Sequence, residues 1–126
     1  MPTVMVIDDA DLTRDTLARV LRREGYATTQ AASGKEALDM LEHQAAPDLV
    51  LLDINLPDLD GLELLEMIHD NPQWRGLPVI MLTAQADTVT IRRAEQLGAR
   101  EFLVKAAFSL QEMLRHVRHY THYTPS

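Results

Sequence analysis

Cysteine is absent from this 126-residue chain, which excludes disulfide bonds and metal sites built from thiolates. Also missing is any apolar run as long as a membrane span. The first three residues lead directly into a predicted strand and do not have the pattern of a signal peptide. From these absences we expect a soluble, cytoplasmic protein without a membrane partner. The length is typical of one domain, so we predict a single domain over residues 1–126.

Basic residues are scarce in the first part of the chain. Residues 1–87 contain 6 Lys or Arg and 16 Asp or Glu, whereas residues 88–126 contain 6 and 3. The first part therefore carries a net charge of −10 and the second part +3, which together give the net charge of −7. The acidic part argues against direct binding of nucleic acid. The positive part is compatible either with ordinary solvated helix faces or with a charged docking surface.

What the chain does contain is a regular alternation of short apolar runs with amphipathic stretches. Four of the amphipathic stretches begin at a residue that can cap a helix, and these residues are Asp11, Ser33, Asp87 and Ser109. Because strands and helices alternate five times without a long linker, we predict an α/β fold with a parallel sheet and helices on both faces. The predicted strands cover residues 3–7, 26–31, 49–53, 78–82 and 102–104.

Four of the predicted strands run into polar side chains. Asp8 and Asp9 follow the first strand, Asp53 ends the third, Thr83 follows the fourth and Lys105 follows the fifth. In a parallel sheet all these strand ends lie on one edge, which is where ligands bind in open α/β sheets. Polar caps on buried strands would not favour this particular combination of carboxylates, a hydroxyl group and an ammonium group. We therefore predict a functional cleft at this edge.

The chemistry of the cleft follows from its charge. Three carboxylates in one place repel each other and need compensation. Mg²⁺ suits such a site because it binds a few oxygen ligands and keeps several waters, which leave room for phosphate oxygens. A lysine and a hydroxyl group can bind the remaining phosphoryl oxygens, so the set of groups is suited to phosphoryl transfer. Asp53, at the centre, is the candidate carboxylate nucleophile.

Four stretches of the sequence carry a family resemblance. They are residues 6–9 (VIDD), 51–61 (LLDINLPDLDG), 78–84 (PVIMLTA) and 98–105 (GAREFLVK). Taken together and in order, they make the chain resemble the CheY-like receiver domains of response regulators in two-component signalling. The resemblance covers essentially the whole chain. It implies a flavodoxin-like (βα)5 fold whose central five-stranded parallel sheet has the strand order 2-1-3-4-5.

The resemblance also implies roles for individual residues. Asp53 is the phosphoacceptor. Mg²⁺ is held by the carboxylates of Asp8, Asp9 and Asp53 and by the backbone carbonyl of Asn55. The phosphoryl group is bound by Thr83, by Lys105 and by the backbone of Ala84.

Two further roles implied by the resemblance have plain structural alternatives. Phosphorylation draws Thr83 inward, and the aromatic ring of Phe102 turns with it; from packing alone, Phe102 is a core residue. Asn55 and Gln85 stand at positions that tune the lifetime of the phosphate in the family, since an amide can orient water without acting as a base. The alternative is that both amides simply face solvent.

By the same resemblance the chain is a phosphoprotein of a phosphorelay rather than a metabolic enzyme. It takes its phosphoryl group from a sensor histidine kinase or a histidine phosphotransfer protein, and it catalyses only its own phosphotransfer and autodephosphorylation. The surface of its last helix-strand-helix unit, residues 87–120, then changes its preference for a downstream protein or for a second copy of the chain. This unit largely coincides with the positively charged part of the sequence.

One position departs from the family pattern. Proline usually follows the lysine, whereas this chain has Ala106 after Lys105. A cis peptide bond is common before proline but costs about 3 kcal/mol before other residues. We therefore predict a trans bond between Lys105 and Ala106.

Three other readings of the same pattern remain. A phosphatase of the haloacid-dehalogenase type uses a second aspartate two residues after the nucleophile, where this chain has Asn55, which cannot supply a proton in that way. A flavodoxin-like cofactor binder needs a phosphate loop after the first strand, where the aspartates at positions 8, 9 and 11 would repel phosphate. The third alternative is a receiver-like interaction module that works without phosphorylation; degraded site residues would favour it, and the predicted site is intact.

Overall fold

The computed structural model describes residues 1–84 and 87–123 of the chain. Five strands alternate with five helices, as the sequence pattern predicts. The strands are β1 (Thr3–Ile7), β2 (Ala27–Ala31), β3 (Leu49–Asp53), β4 (Val79–Thr83) and β5 (Glu101–Val104). The helices are α1 (Asp11–Arg23), α2 (Gly34–His43), α3 (Gly61–Asp70), α4 (Thr88–Gln96) and α5 (Leu110–Thr121). Of the helices within these described ranges, none combines the length and apolar character needed to cross a membrane.

The five strands form one parallel sheet in the order β2-β1-β3-β4-β5, which confirms the predicted order. All five residues of β3 and all five of β4 are buried, as expected for strands covered by helices on both faces. β2 is the first edge strand and is mostly half-buried, in agreement with its more polar sequence. The topology places the carboxyl ends of all five strands on the same edge.

Two apolar clusters lie on the two faces of the sheet. Successive residues of a strand point to opposite faces, so the inner strands β1, β3 and β4 contribute to both clusters. In β1, for example, Met5 and Ile7 belong to one cluster and Val4 and Val6 to the other. The first cluster packs under α2, α3 and α4, and the second packs under α1 and α5. This packing holds the strand ends in register and therefore determines where the polar residues that follow them lie.

Three of the four predicted helix caps are confirmed. The side chains of Ser33, Asp87 and Ser109 each accept a hydrogen bond from the backbone N–H three residues later, at 3.1, 2.8 and 3.0 Å. These bonds satisfy N–H groups that have no partner inside the helix.

The predicted cap at Asp11 is wrong. The N-cap of α1 is Ala10, which makes no side-chain cap hydrogen bond, and Asp11 is the first helical residue. The reason lies in the preceding turn, where Asp8 Oδ1 accepts a hydrogen bond from the backbone N–H of Ala10 at 2.9 Å. This aspartate turn starts the helix one residue earlier than the sequence pattern indicated.

Candidate functional site at the strand ends

The polar residues at the carboxyl ends of β1, β3, β4 and β5 meet at one edge of the sheet. Carboxylate oxygens of Asp8, Asp9 and Asp53 lie within 4.8 Å of one another. Asp8 and Asp53 are buried, with 0% and 2% of their surface exposed, while Asp9 is exposed. Thr83 is buried at the end of the neighbouring strand. The structure therefore brings together the residues that the sequence pattern placed at separate strand ends.

Lys105 reaches across the site from the end of β5. Its ammonium nitrogen lies 2.7 Å from Asp8 Oδ2 and 3.0 Å from Asp53 Oδ2. Its backbone N–H donates to the carbonyl oxygen of Thr83 at 2.7 Å, which attaches the start of the following loop to β4. The peptide bond between Lys105 and Ala106 is trans, as predicted. The family departure at Ala106 thus leaves the lysine in contact with both buried carboxylates.

Only one of the two carboxylate oxygens of Asp8 accepts a well-formed hydrogen bond. Its Oδ1 accepts the hydrogen bond from the Ala10 N–H, but its buried Oδ2 has no hydrogen bond of acceptable geometry. The 2.7 Å approach of the Lys105 ammonium to that oxygen is therefore an ionic contact without good alignment. A buried carboxylate oxygen without a well-formed hydrogen bond is suited to a metal ion.

Asp53 accepts hydrogen bonds at both oxygens. Lys105 donates to Oδ2 at 3.0 Å, and the backbone N–H of Asn55 donates to Oδ1 at 3.2 Å. Burial raises the pKa of the Asp53 carboxyl, and the charge of Asp8 adds to the increase, so the two hydrogen bonds offset it only in part. Burial by itself would lower the pKa of Lys105, but its contacts with Asp8 and Asp53 outweigh burial and raise it. Lys105 is therefore a cation at neutral pH.

The carboxylates fit a divalent cation. The cluster contains three carboxylates, and Lys105 contacts only those of Asp8 and Asp53, so an excess of negative charge remains that a cation would neutralise. The donors are hard oxygen atoms, which suits Mg²⁺ better than a softer metal. Asp9 is exposed, so a metal ion could keep water ligands on that side. Within the described part of the chain, no other group of three or more acidic, histidine or cysteine side chains has this arrangement.

A shallow depression of about 340 Å³ lies beside the cluster. Its lining includes Asn55, Thr83 and Ala84, which are three of the residues predicted to contact metal or phosphate. Ala84 is exposed at the end of β4. Gln85, the second residue predicted to tune hydrolysis, lies outside the described residues.

Phe102 is the second residue of β5. It is half-buried and packs against the apolar cluster under α2, α3 and α4. Its other side borders a groove of about 320 Å³, which Glu95 and Arg100 also line. The position is thus partly core and partly surface.

The loop after β3 is held by contacts that the sequence analysis did not predict. Asp58 accepts hydrogen bonds from the backbone N–H groups of Gly34 and Lys35, both at 2.9 Å, and so attaches this loop to the first turn of α2. Gly61 donates its N–H to the carbonyl oxygen of Ile54 at 2.7 Å. A Cβ atom at Gly61 would lie 2.3 Å from the carbonyl oxygen of Asp53, so this close approach requires glycine.

Arg14 is a further residue that sequence reasoning missed. Its guanidinium donates to the backbone carbonyl of Asp8 at 2.8 Å. The sequence did contain one signal, because Arg14 stands three residues after Asp11 on a predicted helix and such pairs form ion pairs. Its contact with the backbone between the two aspartates had no signal.

A comparison with known protein families identifies the family to which this fold belongs. A family model described as the response regulator receiver domain matches residues 4–118. The chain belongs to this family. The resemblance seen in the sequence is thereby confirmed.

Curated relatives extend the match. This receiver domain is 36% identical over 104 residues to the polar-differentiation response regulator DivK of Brucella ovis, covering 82% of this chain and 83% of DivK. It is 38% identical over 105 residues to the transcriptional regulatory protein AfsQ1 of Streptomyces coelicolor, covering 83% of this chain. The aligned region is 45% of AfsQ1, so this chain matches less than half of that relative.

Solved structures agree with the receiver fold. A CheY-like receiver domain from Methanospirillum hungatei superimposes with a TM-score of 0.89 at 28% identity, covering 97% of this chain and 94% of that one. A putative response regulator from Chloroflexus aurantiacus gives a TM-score of 0.89 at 34% identity, covering 97% and 98%. This protein is thus a receiver domain of the two-component response regulators, a family whose members act with histidine kinases and downstream targets.

Proposed function

We propose that Asp53 accepts a phosphoryl group from a phosphohistidine on a sensor histidine kinase or a histidine phosphotransfer protein. The observation that carries the proposal is the convergence of Asp8, Asp9 and Asp53 with Lys105 at one edge of the sheet. Asp53 is the member of the cluster at the end of the central, fully buried strand β3. Its buried carboxylate is held at both oxygens and so presents a defined geometry to a donor.

The phosphoryl transfer is a single displacement at phosphorus. A carboxylate oxygen of Asp53 attacks the phosphorus while the bond between phosphorus and the imidazole nitrogen breaks. The electron pair of that bond returns to the nitrogen, so the donor leaves as a histidine side chain. The product is an acyl phosphate on Asp53, and no oxidant or further co-reactant is required.

The carboxylates of Asp8, Asp9 and Asp53 and the backbone carbonyl of Asn55 would hold Mg²⁺. When bound, this ion neutralises charge on the phosphoryl oxygens and on the carboxylates around them. Asp8 provides the buried oxygen without a well-formed hydrogen bond, and Asp9 provides the exposed one. Asn55 lines the adjacent depression, which is large enough to admit a phosphoryl group.

Lys105 and Thr83 bind the phosphoryl group in this proposal. The Lys105 ammonium already lies 3.0 Å from Asp53 Oδ2, so a short movement brings it to a phosphoryl oxygen on the same residue. Thr83 lines the depression together with Ala84, whose backbone N–H is the candidate donor for another phosphoryl oxygen. Inward movement of Thr83, with a turn of the Phe102 ring, would carry the signal to β5.

Dephosphorylation uses the same site. A water molecule attacks the phosphorus, the bond to Asp53 breaks, and inorganic phosphate leaves while the carboxylate is restored. Asn55 and Gln85 are the amides proposed to orient that water and thereby set the lifetime of the phosphate. The chain thus catalyses only its own phosphorylation and hydrolysis.

The output surface is the face formed by α4, β5 and α5. This face includes most of the net-positive segment 88–126, and the groove lined by Phe102 lies on it. A downstream protein or a second copy of the chain is the proposed partner. Reversing the charges of Arg92, Arg93 and Arg118 should weaken that interaction, and unchanged partner binding by the triple variant would count against this face.

The decisive experiment is intact-mass measurement after incubation with Mg²⁺ and a small acyl-phosphate donor. The parent protein should gain one phosphoryl group, whereas Asp53→Asn should gain none. Asp70→Asn, which changes an exposed aspartate at the end of α3, is the matched control and should be modified like the parent. No modification of folded parent protein with Mg²⁺ present would contradict the proposal and favour the phosphorylation-independent interaction module.

A further inference from the structure

Arg14 connects three separate parts of the chain beside the carboxylate cluster. One Nη donates to the carbonyl oxygen of Asp8 at 2.8 Å, and Nε donates to Gln30 Oε1 at 3.2 Å. The other Nη donates to Asp11 Oδ1 at 2.7 Å. The acceptors belong to the end of β1, to the edge strand β2 and to the first residue of α1. The Arg14 side chain is only 14% exposed, so it is held in this position by packing as well.

The contact with Asp8 has a particular consequence. The carbonyl of Asp8 is part of the peptide group that joins Asp8 to Asp9, so the guanidinium fixes the backbone unit between two candidate Mg²⁺ ligands. A guanidinium is planar and carries its donors in a rigid fork, so three simultaneous acceptors determine its orientation. The turn that presents Asp9 is thereby tied to a strand and a helix of the fold.

The effect of Arg14 on the site is geometric more than electrostatic. Asp11, whose side chain is 82% exposed, lies 2.7 Å from the guanidinium and balances its charge locally. The compensating cation inside the cluster is Lys105. Repulsion between Asp8, Asp9 and Asp53 tends to push the β1–α1 turn away from β3, and the Arg14 bonds oppose that movement.

We propose that Arg14 is a positioning residue that pre-organises the turn carrying Asp8 and Asp9 for Mg²⁺ binding. The inference rests on the proposed function, because it assumes that the cluster binds Mg²⁺. Groups that orient metal ligands without touching the metal commonly change metal affinity by 10- to 100-fold when removed. Arg14 has such an orienting role for the peptide group between Asp8 and Asp9.

The chain offers a matched control in Arg22. It lies eight residues further along α1 and also bridges that helix to β2, where its Nη donates to Thr28 Oγ1 at 3.0 Å. Thr28 is near the beginning of β2, at the opposite end from the carboxylates. Arg14 and Arg22 therefore make the same kind of helix-to-strand contact, but only Arg14 touches the turn with the aspartates.

The test measures Mg²⁺ affinity by isothermal titration calorimetry, with Mg²⁺ alone, for the parent, Arg14→Lys, Arg14→Gln and Arg22→Gln. Both Arg14 variants should bind Mg²⁺ about tenfold more weakly, since neither side chain can reach three acceptors at once. Arg22→Gln should bind like the parent even where its melting temperature falls as much as that of Arg14→Gln. The phosphorylation rate with an acyl phosphate should recover in the Arg14 variants at saturating Mg²⁺.

The two Arg14 variants separate geometry from charge. Arg14→Lys keeps the positive charge but loses the planar fork of donors. If Arg14→Lys bound Mg²⁺ like the parent and Arg14→Gln bound it more tightly, Arg14 would act through its charge and not by positioning the turn. Unchanged affinity in both variants would overturn the proposal outright. Parent protein that binds no Mg²⁺ would overturn the proposed function itself, which is a distinct result.

A milder variant keeps the proposal testable if the Arg14 variants do not fold. Gln30→Met leaves Arg14 in place but removes the acceptor of its Nε. It should weaken Mg²⁺ binding in the same direction and by less than Arg14→Lys. Parent-like Mg²⁺ affinity in Gln30→Met, if the Arg14 variants do not fold, would count against the proposal.

Discussion

The ammonium nitrogen of Lys105 lies 3.0 Å from Asp53 Oδ2, although the two residues are 52 positions apart in the chain. The side chain of Asp53 is 3% exposed and that of Lys105 is 24% exposed. The same nitrogen is 2.7 Å from the buried Oδ2 of Asp8. A single lysine thus compensates two buried carboxylates, and the balance of charge in the site depends on it.

Removal of this lysine should destabilise the metal-free protein. Lys105→Met leaves Asp8 and Asp53 without their cation, and breaking a buried ion pair from one side is costly. Because Lys105 is partly exposed, we expect a loss of about 2 kcal/mol in the free energy of unfolding, less than for a fully buried pair. Urea unfolding without Mg²⁺ measures it. Lys35→Met, at an exposed lysine, is the control, and equal stabilities of the two variants would contradict the prediction.

Removal of the Asp53 charge should have the opposite effect on the metal-free protein. Burial raises the pKa of Asp53, so the folded state binds a proton more tightly than the unfolded state, whose carboxyl titrates near pH 3.9. Stability contributed by this group therefore falls as the pH rises from about 4 through the folded pKa, and the cost is present at pH 7. Asp53→Asn removes that cost, and we expect a gain of about 1 kcal/mol at pH 7 without Mg²⁺.

The same variant should lose the response to Mg²⁺. A ligand present at a hundredfold excess over its dissociation constant stabilises the folded state by about 2.7 kcal/mol. Thermal unfolding with and without Mg²⁺ should show that increase in the parent and in Asp70→Asn but much less in Asp53→Asn. For the metal-free proteins, a lower stability of Asp53→Asn than of the parent would contradict the preceding prediction. It would show that burial and repulsion of the Asp53 charge cost less free energy than the hydrogen bonds from Lys105 and Asn55 contribute.

Gly61 should not tolerate a side chain. An added Cβ would lie 2.3 Å from the carbonyl oxygen of Asp53 and 2.6 Å from Ile54 Cα, and both are backbone atoms. We expect Gly61→Ala to cost about 1–3 kcal/mol in chemical denaturation, the usual range for overpacking, and to slow phosphorylation because the end of β3 must shift. Gly76→Ala is the control, since nothing lies within 4 Å of a Cβ there. Equal stability of the two variants would show that the loop absorbs the added group.

The contribution of Asp58 to the stability of the fold should be present at neutral pH and decrease in acid. Its carboxylate accepts the N–H groups of Lys35 and Gly34, and the hydrogen bond from Lys35 is the main reason that its pKa is lowered. A lowered folded pKa means stability that is present above about pH 4 and is lost as the pH falls through the folded pKa. Asp58→Asn should therefore lower the melting temperature at pH 7, and the difference from the parent should shrink as the pH falls below about 4. A difference that does not shrink at all as the pH falls from 7 into the acid range would assign the effect to the shape of the side chain rather than to its charge.

Much of the fold could be predicted because it depends on local patterns. The continuous apolar runs of β3 and β4 indicated strands buried on both faces, and the structure confirms this. The caps at Ser33, Asp87 and Ser109 depend on residues three positions apart, so they were readable as well. Asp11 was misjudged because the turn at Asp8 starts α1 one residue earlier, with Ala10 as the N-cap, and alanine carries no capping signal in the sequence.

The sequence by itself determined the alternation of strands and helices, the parallel sheet and the identity of the residues at the strand ends. Those properties follow from residue periodicity and from the rule that parallel strands end on one edge. Only the tertiary structure decided that Lys105 contacts both buried carboxylates, that Asp58 holds the first turn of α2 and that Arg14 holds the backbone after β1. Such contacts join residues whose separation along the chain carries no periodic signal, and they depend on the packing of helices against the sheet to bring the side chains within reach.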